Sequence, residues 1–528
     1  MPRLPGRASA ALPPGRHLAL TWGIPEGYGG MTNAMLHRTR AFVEVGGVEV
    51  DIVTLDARAD YPELEQRFLA DGRMAAGSRI LNLWDWLREH PLPGGSLHPQ
   101  RHPLLLIDEE RDASELGEPR MRDGRVLSRS RVGAEGETLQ IDHYREDGTL
   151  LASDRRDVWK RGELGGRSVV LCDERGEPVR SWGRIWHLYT AWLDALIARR
   201  RTWMIVDSKA VANFILTYRR PNVVTLHLVH ASHLVGQKRP MGTLRESRRP
   251  VFENLDGYDA VVLLTERQRH DVEIMLGRHD NLEVIPNARD LGDLDPASLD
   301  LERDPGHGVM LAALTKRKRV DHAIRAVSAA AEDLAGGAHR PDLDVFGDGE
   351  LRGRFERMIA KLPDPDRVRL RGHDATAPRQ LHHASYLILS STSEGFPLVL
   401  VESMAGGCLP IAYDVPYGPA DIIRDGRNGF LVPPGDIAGL TAAVERIATM
   451  PKPELDRMRL AAQRTAQRYT DERVTADWAR AFGRALARKQ LKRAGVTGYV
   501  TTARLARFVI VRGIRTRIER ARRRRAAV

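Results

Sequence analysis

The sequence predicts an α/β protein made of two doubly wound domains with Rossmann-like parallel sheets that face a cleft, with a β-rich insertion in the first domain. Two series of buried strands and helical segments support this prediction, one on each side of a polar linker near 291–306. Short alternating runs interrupt the first series. The predicted segments are a domain at 16–300 with its insertion at about 112–182, a domain at 303–470, a crossover helix at 471–487 and a basic tail at 488–528.

The first series opens with a strand, a glycine-rich turn, a helix and a second strand. An apolar run at 17–22 leads through Gly29 and Gly30 into a helical pattern at 33–45, and alternation follows at 48–55. This order is typical of a βαβ unit in a parallel sheet. Glycines in such a turn let backbone amides approach a diphosphate closely, but they also occur as purely structural residues.

The insertion is predicted from its turns. Asp123-Gly124, Asp147-Gly148 and Arg175-Gly176 separate short runs of alternating polarity. Such pairs are typical of antiparallel hairpins, because glycine accepts a positive φ. We therefore expect an antiparallel meander inside the first domain.

Composition restricts the class of protein. Hydrophobic residues make up 42% and charged residues 29% of the chain, as in ordinary globular proteins. Only Cys172 and Cys408 are present among 528 residues, which argues against a disulfide framework and for a reducing compartment. The start of the chain makes a poor signal peptide, and no run approaches the roughly 18 apolar residues of a membrane span. We expect a cytoplasmic protein, or one bound peripherally at the inner face of the membrane.

The net charge of +11 arises in the C-terminal segment. Residues 484–528 contain 15 Lys and Arg and one acid, Glu519, so the rest of the chain carries about −3. The folded body is therefore a weak candidate for nucleic-acid binding. Within the tail, arginines alternate with apolar residues, which fits either an interfacial helix on anionic lipid or phosphate-rich polymer, or a solvated tail. RNA is a weaker hypothesis, because the tail has few aromatic residues for base stacking.

The most informative stretch is 393–407, where a buried strand leads into a short apolar helix. Pro397 suits the first turn of that helix, since its missing N–H would be unpaired there in any case. Glu394 precedes the helix and Glu402 lies inside it, so we expect both carboxylates to face the same cleft. Free amides near Leu398 can donate to a phosphate, assisted by the helix dipole.

Two glutamates separated by seven residues, with Gly-Phe after the first, resemble the signature of glycosyltransferase family 4, a large retaining family with the GT-B fold. The stretches 413–419 and 426–436 are similar to the branch with poly(glycerol-phosphate) and poly(ribitol-phosphate) α-glycosyltransferases, which decorate teichoic acids. That branch has a β-rich insertion that can support homo-oligomers. The resemblance implies transfer of a hexose or N-acetylhexosamine from a nucleotide sugar, most commonly UDP-linked, to a hydroxyl of a phosphate-rich cell-wall polymer or related glycan.

The resemblance also implies roles for individual residues. Glu394 would contact hydroxyls of the donor sugar, and Glu402 those of the ribose. Lys318 matches a lysine that grips the diphosphate, and a family histidine near the donor sugar matches His227, with His230 as the second choice. Glu394, His227 and Lys318 are thus the predicted catalytic residues. The other donor-binding candidates lie in the glycine turn, at the start of the helix and after two strands: Gly29, Gly30, Gly395, Phe396, Pro397, Leu398, Lys316, Arg317 and Gly347.

One position departs from the family pattern. The family usually has an arginine five residues before the lysine, and Ala313 occupies that position here. An active enzyme therefore needs another cation, for which Lys316 and Arg317 are the candidates. Alternatively, donor binding is weak or lost, and the chain is a non-catalytic binding protein that has kept the scaffold.

No metal or other cofactor is expected. The pair Asp342 and Asp344 lies within a predicted strand rather than at its end, and His382-His383 lacks the spacing of helical ligands. Cations and helix amides can neutralise the diphosphate instead. A same-fold transferase acting on a lipid-linked saccharide, a non-catalytic binding protein and a nucleic-acid binder remain as alternatives.

Overall fold

The computed structural model describes residues 11–97, 104–160, 163–291 and 302–493. These residues form two compact units, one made mainly of 13–226 and the other of 227–491. The predicted basic tail lies outside the described residues from 494 onward. The domain boundaries derived from the sequence stay predictions.

The secondary structure alternates as expected. The strands are, in chain order, β1 (Arg16–Leu20), β2 (Val50–Thr54), β3 (Ser78–Asn82), β4 (Arg120–Arg122), β5 (Arg125–Val132), β6 (Thr138–Tyr144), β7 (Leu150–Lys160), β8 (Glu163–Cys172), β9 (Pro178–Trp182), β10 (Thr202–Val206), β11 (Val223–Val229), β12 (Ala260–Leu263), β13 (Leu282–Val284), β14 (His307–Leu311), β15 (Asp342–Phe346), β16 (Val368–Gly372), β17 (Tyr386–Leu389), β18 (Leu409–Tyr413) and β19 (Phe430–Val432). The α-helices are α1 (Gly30–Glu44), α2 (Tyr61–Ala70), α3 (Leu83–Glu89), α4 (Ile185–Ile197), α5 (Lys209–Ile215), α6 (Arg249–Phe252), α7 (Glu266–Leu276), α8 (Val320–Asp333), α9 (Arg352–Ile359), α10 (Leu398–Ala405), α11 (Pro419–Ile422), α12 (Ile437–Ala448), α13 (Lys452–Ala466) and α14 (Asp471–Arg493). Of the helices described, none combines the length and the apolar character needed to cross a membrane.

The first sheet has the strand order β13-β12-β11-β10-β1-β2-β3. Strand β1 pairs in parallel with β2 and β10, and β12 pairs in parallel with β13. Helix α1 starts at Gly30 and returns the chain to β2, which confirms the predicted βαβ unit. Strands β2, β10 and β11 are buried along their whole length, as expected for a sheet covered on both faces.

The insertion is a six-stranded antiparallel sheet in the sequential order β4 to β9. At its first hairpin, Asp123 and Gly124 have φ of 49° and 74°. Positive φ at both positions is the requirement of a type I′ turn, which matches the twist of the flanking strands. The predicted meander is therefore confirmed.

The second sheet has the order β16-β15-β14-β17-β18-β19, and every neighbouring pair is parallel. Strand β17 lies between β14 and β18. Because parallel strands end at the same edge, the segments after these three strands leave the sheet side by side. They are residues 312–319, 390–397 and 414–418, which include most of the predicted site. Two parallel sheets with a β-rich insertion are the fold class that the sequence predicts.

The aspartates of the Asp-x-Asp pair lie in β15 and are neutralised by neighbouring strands. His307 Nδ1 donates to Asp342 at 2.6 Å, and Arg369 lies 3.1 Å from the same carboxylate. Asp344 pairs with Arg369 at 2.5 Å and Arg371 at 3.1 Å. The hydrogen bond to Asp342 raises the pKa of His307. Burial opposes the shift at Asp342, but the bond from His307 lowers the pKa of that carboxyl.

The His307–Asp342 pair predicts a pH-dependent stability. A raised histidine pKa stabilises the fold below the unfolded pKa of about 6.5, and this contribution is lost as pH rises through the higher folded pKa. Asp342→Asn should therefore lower the Tm by about 2–4 °C near pH 6, for about 1 kcal/mol, and by less at pH 9. Asp364→Asn is the control, since its partners Arg340 and Arg367 do not titrate in this range. An Asp342→Asn effect that is equal at both pH values would contradict the prediction.

Candidate active site

The segment after β14 is held against the end of β17. Lys316–Lys318 form a 3₁₀ turn, and Arg319 follows in the left-handed region with φ of 47°. Ser390 Oγ donates to two carbonyl oxygens of this segment, at 3.1 and 2.8 Å. The amide of Thr392 donates to a third, at 2.8 Å. These bonds fix the cationic turn beside the strand end that carries Glu394.

Glu394 pairs with two cations of that turn. Lys318 Nζ lies 2.7 Å and Arg317 Nη1 lies 3.1 Å from the same carboxylate oxygen, Oε1. The side chains of Glu394 and Lys318 are only 13% and 16% exposed, whereas that of Arg317 is 51% exposed. Within the described residues, the Lys316 side chain forms neither an ion pair nor a hydrogen bond. The structure thus separates Arg317 from Lys316, which the sequence left as equal candidates.

The backbone around Glu394 is fixed by its neighbours. Its amide donates to Pro416 O at 3.2 Å, and its carbonyl accepts a bond from the amide of Tyr417 at 3.0 Å. A Cβ atom at Gly395 would lie 2.0 Å from the carbonyl oxygen of His230. Packing therefore requires glycine at position 395, whatever its role in donor binding.

Tyr417 belongs to a buried polar network that the sequence did not indicate. Its hydroxyl donates to Asp271 at 2.8 Å, and Arg239 donates to both oxygens of that carboxylate, at 2.6 and 2.8 Å. His233 stacks on the Tyr417 ring with a centroid distance of 5.8 Å, and burial lowers the pKa of His233 to about 4. The neutral imidazole of His233 and the paired carboxylate of Asp271 therefore fix Tyr417, whose amide in turn binds the carbonyl of Glu394.

The two candidate histidines differ in position. His227 lies inside β11, is 2% exposed and packs 5.5 Å from the Tyr258 ring. His230 follows the end of β11 and is half-buried, and its carbonyl faces Gly395. His230 thus contacts the Glu394 turn through its backbone carbonyl oxygen. The chemical role of either histidine stays a prediction.

Glu402 lies in α10 and accepts a hydrogen bond from Arg289 Nε. Arg289 follows β13 and carries no motif of its own, so the sequence gives no prediction for it. Pro397 is the residue before α10 rather than part of its first turn, because its ψ of 93° is extended, and Leu398 is the first helical residue. Since proline has no side-chain acceptor, the N-cap side chain makes no hydrogen bond to the first amides of α10.

The predicted glycines differ in whether packing or backbone conformation requires a glycine at their position. At Gly347, φ is +136° and a Cβ atom would lie 2.1 Å from Ala312 O, so the backbone alone explains this glycine. Gly29 has φ of −100°, and Gly30 begins α1. A Cβ atom at either would meet no described atom within 4 Å. The Gly29-Gly30 turn belongs to the unit of 13–226, and neither packing nor φ accounts for its glycines.

Phe396 has a packing role. Its ring is 7% exposed and meets the Tyr469 ring edge-on at 5.3 Å. It also borders a cavity of about 430 Å³, lined in addition by Asp421, Arg468 and Arg473. The aromatic side chain therefore anchors the start of α10, and only the backbone of this residue is a candidate for donor contact.

Residues 295–465 match the family model "Glycosyl transferases group 1". An exopolysaccharide phosphotransferase of Streptomyces coelicolor is 35% identical over 246 residues, which are 46% of this chain and 24% of that protein. The chain thus spans about a quarter of the length of this relative. The poly(glycerol-phosphate) alpha-glucosyltransferase of Bacillus subtilis is 22% identical over 512 residues, covering 87% of this chain and 74% of the relative.

The solved structures agree on the fold. A crystal structure of a TarM mutant from S. aureus, in complex with fondaparinux, alpha-GlcNAc-glycerol and UDP, has a TM-score of 0.68 at 17% identity and covers 89% of this chain and 99% of its own. The family model, the relatives and the fold together indicate the class: the chain is a glycosyltransferase with the GT-B fold. Within this class it is similar to the poly(glycerol-phosphate) alpha-glucosyltransferase and to TarM, and its residues 295–465 match the group 1 family model.

The contact between Gly395 and His230 predicts a local defect. Gly395→Ala places a methyl group where the carbonyl oxygen lies, so the Glu394 turn must move. Overpacking of this kind costs about 1–3 kcal/mol, and sugar transfer should fall by at least about 100-fold. Gly483→Ala in α14 is the control, because its Cβ would meet no described atom within 4 Å and alanine favours a helix. The Tm and transfer rate of both variants test this, and an active Gly395→Ala enzyme would show that the turn is not held as described.

Proposed function

We propose that the chain is a retaining glycosyltransferase that moves a hexose or N-acetylhexosamine from a UDP-sugar to a hydroxyl of a phosphate-rich cell-wall polymer or related glycan. The observation that carries the proposal is the sheltered pair of Glu394 and Lys318, joined by the exposed Arg317, at the strand ends of the second sheet. The name of the B. subtilis relative and the UDP and alpha-GlcNAc-glycerol bound to TarM support the donor and acceptor classes.

In the proposed reaction, each charged group of the cluster binds a defined part of the donor. Lys318, Arg317 and the uncapped amides of α10 receive the donor diphosphate, and Glu394 is thereby released from its cations to accept hydrogen bonds from the sugar. The bond from the anomeric carbon to the diphosphate breaks while the acceptor oxygen bonds to the same face of that carbon. The acceptor proton passes to the departing diphosphate oxygen, whose charge the cations stabilise. No metal is needed for these steps.

Arg317 is the proposed substitute for the arginine that Ala313 replaces. Ala313 is exposed and has no charge to offer, whereas the Arg317 guanidinium already reaches the Glu394 carboxylate. Glu402, held by Arg289, is the proposed ribose ligand. His227 and His230 are proposed to orient the donor sugar.

Further proposals concern the setting of the enzyme. The protein is proposed to act in the cytoplasm, at the inner face of the membrane, with its basic tail on anionic lipid. The insertion sheet is proposed to support a homo-oligomer. Sedimentation with anionic vesicles, before and after truncation at 494, and light scattering test these two proposals.

A transfer assay tests the function directly. Wild-type protein should transfer sugar from UDP-glucose or UDP-GlcNAc to a polyol-phosphate polymer, and Glu394→Gln should reduce the rate by at least about 100-fold while circular dichroism shows that the protein stays folded. Glu174→Gln, an exposed residue of the insertion, is the control. Product anomers read by NMR decide whether configuration is retained. Full activity of Glu394→Gln would refute the site, and transfer only to a lipid-linked saccharide would replace the acceptor class.

The two candidate cations predict different donor affinities. Arg317→Ala should raise the Kd for UDP by about 10- to 100-fold, since a hydrogen bond to a charged group contributes about 1.5–3 kcal/mol. Lys316→Ala, the adjacent control, should leave it unchanged. UDP at 100 times its Kd should stabilise the wild type by about 2.7 kcal/mol, and EDTA should not alter this shift. If no nucleotide stabilises the protein, the result favours the alternative that Ala313 suggests, a non-catalytic binding protein.

A further inference from the structure

A hairpin follows β11 and is fastened to the turn that carries the proposed catalytic carboxylate. Its two legs pair through an antiparallel bridge between Leu234 and Leu244. At its tip, Gln237 Nε2 donates to Thr392 O at 2.9 Å, two residues before that carboxylate. We refer to residues 233–249 as the basic hairpin. Its position is thus linked to the position of the transfer site.

The basic hairpin carries more positive charge than its neighbours neutralise. It contains five Lys and Arg and one acid, Glu246. Arg239 pairs with Asp271, and Arg249 pairs with Glu246 at 3.3 Å. In the part of the chain that the structure describes, three cations of the hairpin have neither an ion pair nor a side-chain hydrogen bond: Lys238, Arg245 and Arg248.

The positive charge of Arg248 lies in an electrostatically unfavourable environment. Burial, together with the like charge of Arg245, lowers the pKa of Arg248 to about 10. A partly desolvated guanidinium beside a second one, without a counter-ion, is electrostatically unfavourable. A bound anion would relieve the repulsion and replace the lost hydration.

We propose that the basic hairpin is the acceptor site, where Lys238, Arg245 and Arg248 bind phosphodiester groups of a polyol-phosphate chain. This inference rests on the proposed function and specifies its acceptor. Guanidinium groups form charge-assisted, often bidentate bonds with phosphate oxygens. Exposed Val235 and Met241, at 52% and 62%, offer apolar surface to the carbon chain between phosphates. The link through Gln237 would then bring the polymer's hydroxyls to the transfer site.

The donor diphosphate is a different anion with a different site. Its proposed ligands, Lys318 and Arg317, lie on the segment that follows β14 in the second sheet. The cations of the basic hairpin lie on the segment that follows β11 in the first sheet. Loss of a hairpin cation should therefore weaken polymer binding and leave UDP binding unchanged.

Direct binding tests the inference without requiring turnover. In full-length Glu394→Gln protein, the Kd for labelled poly(glycerol phosphate) is compared with that after adding Arg245→Gln or Arg248→Gln. Each should weaken polymer binding by about tenfold, Arg245→Lys should restore most of it, and the Kd for UDP should stay the same. Arg354→Gln, an exposed residue of α9 without a described ion pair, removes the same charge elsewhere and is the matched control.

The outcomes separate the two levels of the proposal. An unchanged polymer Kd in the hairpin variants, or an equal loss in Arg354→Gln, overturns the acceptor site. A parallel loss of UDP binding also overturns it, because the hairpin would then act only as structural support. A wild type that binds polymer through these arginines but binds no UDP contradicts the proposed donor reaction and leaves the hairpin site standing.

Discussion

The ion pair between Glu394 and Lys318 is the interaction on which the rest of the site depends. Both side chains are largely sheltered, so each charge needs the other in the absence of ligand. A diphosphate can replace the carboxylate at the lysine, and sugar hydroxyls can replace the ammonium group at Glu394. Because Arg317 also contacts Glu394, the cluster of one carboxylate and two cations carries a net charge of +1 without ligand, which favours the entry of an anion.

Such a pair is useful only if neither partner can move away. Lys318 is fixed because Ser390 and Thr392 bind the backbone of its turn, and Glu394 is fixed because Tyr417 and Pro416 bind its own backbone. These restraints come from the ends of adjacent parallel strands, which is where an open α/β sheet places ligands. Further support comes from Asp271 and Arg239, which hold Tyr417 from a helix and a loop outside the second sheet. The precision of the site thus depends on backbone contacts that no single motif contains.

Elements marked by a continuous apolar run or a local motif can be predicted from the sequence. Contacts between residues that are far apart in the sequence cannot. Strands β1 and β17 are predicted from the sequence because their apolar runs are buried almost throughout, whereas β3, β16 and β19, which the sequence does not predict, include exposed or half-buried positions. Two of these, β16 and β19, are the edges of the second sheet, and β3 is an edge of the first. The pairing of Arg317 with Glu394 could not be predicted, because the phase of a 3₁₀ turn decides which of two adjacent cations faces the carboxylate. Arg239, Asp271 and Arg289 have no local pattern that reveals their partners.

The glycines show how packing distinguishes residues that look alike in sequence. Gly347 and Gly395 are explained by carbonyl oxygens at 2.1 and 2.0 Å from where a Cβ atom would lie. A Cβ atom at Gly29 or Gly30 would meet no described atom within 4 Å, and Gly29 has an ordinary negative φ, so neither packing nor φ requires glycine there. Glycine is also among the residues favoured at an N-cap, so the role of these two glycines in donor binding stays a prediction. The sequence places all four glycines among the donor-binding candidates, and only the packing around each one distinguishes a glycine that the fold itself requires.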